Sequence, residues 1–355
     1  MTENRFYLDV HAIQTLPPSN VNRDDTGSPK TAVYGGVRRA RVSSQSWKRA
    51  MRQYFLDESA EDLGIRSTNV IKYVADRIIA IDSSITEEKA MELAEKIFHD
   101  AGIKTKDQKT KALFFLGRQQ ADLLAEAAIK GETDKKLLKQ IFNDNPAVDI
   151  ALFGRMVADD PSLNEDASSQ VAHAISTHEV QTEFDFHTAV DDLAPEDNAG
   201  AGMLGTIEYN SSTLYRYANV AVHELTRQLG NVKQAIDTSK LFIQAFANSM
   251  PTGKSNTFAN QTLPHLLMIN IRQDRPVNLV TAYEKPVNSR KGNVVPSINL
   301  LFQEAKRTEK FVQPPIKTFY VVNEEEGIVK PEWATEESTM ADLLNDFEKT
   351  AEDLL

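Results

Sequence analysis

Between Lys30 and Arg52 the sequence carries seven basic residues and no acidic one, a local charge of +7 inside a chain whose formal net charge is −11. A basic island in an acidic protein points to a dedicated anion site, because a chain adapted to polyanions in general spreads its charge over the whole surface. The residue types are those that hold phosphate without reading sequence: Lys30, Arg39, Arg41, Ser43, Gln45, Lys48, Arg49 and Arg52, with Arg23 just upstream. Two other constellations are weaker. Asp24 and Asp25 are adjacent carboxylates that suit a metal pair, but in a loop such residues more commonly form Asx-turns or pair with a nearby arginine. His173 and His178 are five residues apart, a poor spacing for two ligands on one helix face, and read as a hydrogen-bonded core histidine and a surface one. No cysteine is present, which removes disulfides, thiolate zinc sites and cysteine nucleophiles together.

The elements that must position the basic stretch are legible from its pattern. Tyr34-Gly35-Gly36 reads as a turn, and Val37 to Val42 alternates apolar and basic as an extended segment does. Ser43 or Ser44 can cap a following helix whose Trp47, Ala50, Met51, Tyr54 and Phe55 recur on one side, which leaves Gln45, Lys48, Arg49 and Arg52 on the other. A serine-capped helix start favours phosphate through its free N–H groups and its dipole. The stretch therefore predicts a grip on a phosphate backbone. The plainer alternative is a solvated amphipathic helix, disfavoured because no Asp or Glu balances the run.

These residues also carry a family resemblance. Asn22-Arg23-Asp24-Asp25, Tyr34-Gly35-Gly36, the run from Arg38 to Ser46 and Lys48-Arg49-Ala50-Met51-Arg52 resemble the N-terminal signature of the CasC family, the backbone subunit of the type I-E CRISPR surveillance complex Cascade. Similar matches follow at residues 148–152 with Gly154-Arg155-Met156, and at 172–175, 188–193 and 215–219, with weaker ones at 282–285 and 296–298. The resemblance spans about residues 5 to 300. It implies an α+β fold with an RRM-like (ferredoxin-like) core, a large helical insertion and a long thumb-like loop. Residues 1–56 and 146–330 would form the palm and 57–145 the insertion, while 331–355, beyond the resemblance, reads from its own pattern as a C-terminal acidic helix. It further implies a non-catalytic subunit without cofactor that binds guide RNA, associates with copies of itself into a helical filament, joins other Cascade subunits and meets target DNA through the guide. By the same analogy the loop at 191–206 is a thumb that reaches over the neighbouring subunit's RNA, with Leu204 and Thr206 contacting a displaced nucleotide. Ser168, Ser169 and Gln170 stand where the family pattern leads one to expect an apolar partner.

The rest of the chain supplies the frame. Residues 5–14 alternate as a strand with one buried face, ended by Leu16-Pro17-Pro18, and 213–222 as a second strong strand. Tyr215 and Tyr217 in that strand read as core rather than as base-stacking platforms. From Asp57 to about Asn145 the pattern is helical without strands; it includes one lysine patch at Lys104, Lys106, Lys109 and Lys111 and another at Lys135, Lys136 and Lys139, which suit solubility or nucleic-acid contact. Val148–Phe153, Leu266–Arg272, Leu279–Tyr283 and Thr318–Val322 read as strands, 223–250 as helix broken near Gly230, and 336–355 as an amphipathic helix. Lys285, Arg290 and Lys291 form a further basic patch in a loop. No run of about 18 apolar residues and no leader-like segment argues for a membrane or for secretion, so the cytoplasm is expected. The competing function is a metal-dependent endoribonuclease acting on target RNA, like type III backbone subunits, with Asp24, Asp25, Asp191 or Asp192 as the loop aspartate. A generic acidic helical adaptor, with no salt-sensitive RNA affinity, is the third reading.

Overall fold

The structure, a computed structural model, describes residues 5–58, 63–157, 160–188, 204–323 and 326–355. Its centre is β1 (Tyr7–Ser19), followed by a hairpin of β2 (Thr31–Tyr34) and β3 (Val37–Val42) and then α1 (Ser44–Asp57). Next comes a separate body made of β4 (Gly64–Ser67), α2 (Val70–Ile81), α3 (Glu87–Asp100), the short β5 (Thr105–Lys106) and β6 (Lys109–Thr110), β7 (Phe114–Gly117), α4 (Arg118–Lys130) and α5 (Lys135–Asn143). The chain returns through α6 (Val148–Phe153), β8 (Ser169–Val171), β9 (Ala174–Ser176), β10 (Glu183–Thr188) and the long β11 (Leu204–Ala221). It continues with α7 (Val222–Leu229), α8 (Val232–Asn248), α9 (Ser255–Phe258) and β12 (Leu266–Arg272). It closes with α10 (Val294–Thr308), β13 (Lys317–Val322), β14 (Thr335–Glu336) and α11 (Met340–Leu354).

The main sheet runs β14-β13-β12-β1-β11-β9-β3-β2, with β8 and β10 also paired to β11. Its central four, β12-β1-β11-β9, are antiparallel neighbours. Taken with α1 and α8 they reproduce the β-α-β-β-α-β order of a ferredoxin-like unit, which makes the fold α+β with an RRM-like core. Apolar residues at alternate positions of β1, β11 and β12 pack against α1, α7, α8 and α11 on one face. The opposite face, including Tyr215, Tyr217 and Met268, is covered by α10 and the turn at Val280–Tyr283. The second body has its own core, built from α2, α3, α4 and α5 around Phe98, Phe114 and Phe142.

Several local expectations are revised, each for a physical reason. β1 has both faces buried, Asp9 and His11 included, because a central strand with helices on either side has no wet face. Pro17 and Pro18 lie inside it, where the β1–β11 register shifts between Leu16 and Ser19 and leaves ladder positions that need no N–H. Val148–Phe153 is helix rather than strand, since six residues, apolar but for Asp149, have no period long enough to tell the two apart. Leu279–Tyr283 contains one 3-10 turn at Val280–Tyr283 instead of a strand. The 57–145 region does contain strands, β4 to β7, each too short to show alternation. Gly230, with φ +65°, breaks the 223–250 helix, and α11 buries Leu343, Leu344 and Phe347 against the sheet core.

Candidate nucleic-acid interface

The cationic site is built around the first turn of α1. Ser43 is its N-cap, with Oγ accepting from Ser46 N–H, while Trp47, Ala50, Met51 and Phe55 face the core. The loop before the hairpin is tied to this helix start: Asn22 Oδ1 accepts from Ser43 N–H at 2.8 Å, and Lys30 N–H donates to the Asn22 carbonyl at 2.8 Å. Arg41 sits beside Thr31 and His173, and His173 Nδ1 accepts from Ser44 N–H at 3.2 Å. Partial desolvation of its largely exposed ring foremost, then the charges of Arg41 and Lys30, hold the His173 imidazole below its ordinary pKa. It therefore serves near neutral pH as an uncharged acceptor between two cations. Lys30, Arg41, Ser43 and exposed Gln45 are thus gathered at one helix N-terminus.

The exposed side of α1 borders a cleft of about 730 Å³, whose other wall is formed by residues 21–24 and 248–254. Arg23 and Arg49 line it, and Lys254 adds a third cation that sequence reasoning missed, since Pro251-Thr252-Gly253 registered only as a helix stop. Gly253 permits the close approach of these walls: a Cβ there would lie 2.2 Å from the Val21 carbonyl oxygen. Asp24 also lines the cleft but is engaged in its own turn, accepting from Thr26 N–H, Thr26 Oγ1 and Ser28 N–H. That is the Asx-turn arrangement, and those bonds, led by the Thr26 hydroxyl, lower its pKa.

Two of the arginines expected to meet phosphate are spent inside the protein. Arg39 is fully buried, and its guanidinium donates to the carbonyls of Tyr34, Ser176 and Tyr283 at 3.2, 3.0 and 2.8 Å. Arg52 forms an ion pair with Asp149 at 3.0 Å, donates to the Gly64 carbonyl and lies over the Phe115 ring. Lys48 is half-buried near the Phe153 ring, and burial lowers its pKa. Arg38, by contrast, is exposed on β3, on the face opposite Arg41. Lys285 is exposed next to the β2–β3 turn, at the end of the hairpin away from α1: the neighbouring Glu284 carbonyl packs on Gly35 so closely that a Cβ there would lie 1.7 Å from its oxygen. Arg290 and Lys291 are exposed in the turn preceding α10.

The thumb expected at 191–206 lies outside the described residues except for 204–206. Those three belong to a strand rather than a loop: Leu204 pairs with Thr188 and Thr206 with Phe186 in the β10–β11 ladder. The ladder carries a feature the sequence reading missed. Phe184 and Phe186, two residues apart and so on one face, are each 65% exposed. The alternation of Phe184, Asp185, Phe186 and His187 was the available signal.

Comparison with known proteins adds an independent line. Residues 8–346 match the model of a family described as CT1975-like protein. The chain belongs to that family. A chain of a solved structure described as "CRISPR RNA-guided surveillance complex, pre-nicking" is similar at 33% identity and TM-score 0.86, covering 97% of this chain and 100% of that one. A chain of a second, "CRISPR RNA-guided surveillance complex", is similar at 28% identity and TM-score 0.75, covering 97% and 99%. No curated protein matches the sequence.

In this CT1975-like chain the carboxylates and histidines considered for metal chemistry are dispersed. His178 is half-buried, with Nδ1 against the Glu179 carbonyl and Nε2 accepting from Thr213 N–H at 3.0 Å, while His173 is exposed at the start of α1. Among the described residues no three His, Asp or Glu side chains gather as a metal site; Asp191 and Asp192 lie outside them. No helix among the described residues is long and apolar enough to cross a membrane.

Proposed function

We propose that this chain is a non-catalytic backbone subunit of a type I-E CRISPR surveillance complex. In this reading it grips guide RNA by its phosphates, associates with further copies into a helical filament, and presents the guide for pairing with target DNA in antiviral defence, alongside the other Cascade subunits in the cytoplasm. The observation that carries the reading is the end-to-end likeness, at 33% identity and TM-score 0.86, to a chain of an RNA-guided surveillance complex. The chemistry of the site agrees with it. Arg, Lys, Ser and a capped helix start contact phosphate without discriminating bases, and a subunit that must accept any guide leaves sequence recognition to base pairing. Arg23, Lys30, Arg41, Ser43, Gln45, Arg49 and Lys254 are proposed as the phosphate contacts, with Lys48, Lys285, Arg290 and Lys291 on the flanks. Residues 1–56 and 146–330 form the palm, 57–145 the inserted helical body and 331–355 the terminal segment. Thr206, Leu204 and the exposed pair Phe184 and Phe186 are proposed to meet the displaced nucleotide.

The test uses the purified full-length chain with unrelated guide RNAs. Replacing Arg23, Arg49 and Lys254 together with alanine is expected to weaken binding similarly for every sequence and to flatten the log–log salt dependence by about 2, three contacts at about 0.7 each. Unchanged affinity overturns the grip. Cleavage of labelled RNA with Mg²⁺ or Mn²⁺ that Asp24→Ala or Asp25→Ala abolishes overturns the non-catalytic assignment.

A further inference from the structure

The inserted helical body carries a second cationic surface whose construction differs from ordinary surface charge. In the β5–β6 hairpin Thr105 pairs with Thr110 and Lys106 with Lys109, around a turn at Asp107 and Gln108, which have φ of 51° and 56°. Strand alternation then places Lys104 and Lys111 on the same face as Lys106 and Lys109, and all four are exposed. The threonine face is turned inward. Thr110 is buried, with its N–H donating to the Thr68 carbonyl and its hydroxyl to the Ala112 carbonyl, and the Thr105 hydroxyl donates to Glu95. The hairpin is therefore pinned by one side and offers four ammonium groups on the other.

Like charges directly across a ladder destabilise it, and two-residue strands have little stability to spare. Elsewhere on this body lysines stand beside carboxylates: Lys72 with Asp76 and Glu87, Lys89 with Glu92, Lys130 with Glu126, and Lys139 with Asp160. None of the four hairpin lysines makes such a pair among the described residues. A patch that keeps four lysines free of ion pairs on one pinned face, with the single Asp107 carboxylate at its turn, is suited to an external polyanion. The spacing is that of a backbone reader, about 7 Å along each strand and about 5 Å across. Beside Lys104 and Lys111 lie exposed Leu113 and Met156, while Phe114 is buried, so no aromatic face is offered for stacking an unpaired base.

We propose that Lys104, Lys106, Lys109 and Lys111 form a sequence-independent binding surface for the phosphate backbone of a nucleic-acid double helix, distinct from the single-strand grip at α1. The experiment measures binding of the full-length protein to a short DNA duplex of arbitrary sequence and, separately, to single-stranded RNA over a range of salt. Replacing all four lysines with alanine is expected to weaken duplex binding on the order of 100-fold at low salt. It should reduce the salt slope by about 3.6, four contacts at about 0.9 each, and leave single-stranded RNA affinity unchanged. Replacing all four with arginine should retain duplex binding, which separates lost charge from lost fold. Unchanged duplex affinity in the alanine variant overturns the proposal. So does an equal loss for single-stranded RNA, or a loss confined to binding of an acidic protein. Failure of the α1 grip would show in the RNA measurement alone.

Discussion

Three arginines of this protein tie distant stretches of backbone together. Arg39, Arg155 and Arg216 are buried, and each is held mainly by carbonyl and amide oxygens rather than by a carboxylate. Arg216 donates to Gln14 and to the Phe246 carbonyl while its guanidinium lies 3.6 Å from the Trp47 ring centroid and 4.4 Å from that of Phe246. Burial lowers its pKa to about 9 and that of Arg155 to about 10, and both remain charged near neutral pH. A planar guanidinium can satisfy several carbonyls at once, which an ammonium cannot do in the same geometry. Arg39 joins the hairpin turn, β9 and the 283–284 segment in this way. Arg39→Met, which keeps the volume and removes the donors, is expected to lower the unfolding free energy by about 3 kcal/mol in urea denaturation. Arg39→Lys should recover little of that loss. A variant as stable as wild type would show that the carbonyls find other donors.

At the level of the element, β1 places Asp9 and His11 two residues apart on one buried face of the sheet, with opposite consequences for pH. Asp9 accepts from Tyr217 Oη at 2.8 Å and from Val277 N–H at 2.9 Å, yet burial pushes it up to about 7 from 3.8. His11 lies between Tyr215 Oη and Asn270, and burial, with Arg272 adding to it, pushes it down to about 3 from 6.5. The native state favours protonated Asp9, so its contribution is present below pH 3.8 and declines as pH rises towards 7. It favours neutral His11, so that contribution is present above pH 6.5 and declines as pH falls towards 3. Between about pH 4 and 6.5 the two slopes oppose each other. Asp9→Asn should remove one of them, so the variant loses stability on acidification from 6.5 to 4 more steeply than wild type. Chemical denaturation at stepped pH measures this, and parallel curves for the two proteins would contradict the assignment.

On the scale of the whole molecule, the inserted helical body is tied to the sheet domain by its contacts with a buried ion pair of that domain. Arg52 on α1 reaches Asp149 on α6, whose other oxygen accepts from Gly64 N–H at 2.8 Å at the start of β4, and the Arg52 guanidinium covers Phe115 of β7. Asp149 is almost fully buried, and burial raises its pKa in spite of the arginine, so the pair is a costly one to break from one side. Arg52→Ala is expected to destabilise by about 3 kcal/mol, with the helical body melting ahead of the sheet, and Arg52→Ala with Asp149→Asn by less than the sum of the two single changes. Additive losses in thermal or urea melts would mean that the pair does not couple the two bodies. The same geometry shows why a charge reversal at Arg52 is a poor probe of RNA contact and why Arg49, on the open side of the same helix, is a better one.

The hairpin turn at Gly35-Gly36, the serine cap, the apolar side of α1 and the pairing potential of β1 and β11 were legible because each depends on neighbours within a few residues, where periodicity and cap chemistry act. The order β12-β1-β11-β9 was not, since strand order depends on contacts hundreds of residues apart. Nor could one sequence assign fates to its cations. Arg39, Arg41, Arg49 and Arg52 look alike in a charge count, yet one is enclosed by carbonyls, one is held by a carboxylate from residue 149, and the others border solvent. The linear pattern specifies which side chains are cationic and which face of a helix they share. Burial and long-range partners, which arise when distant segments pack together, settle which of those charges are left to meet a polyanion.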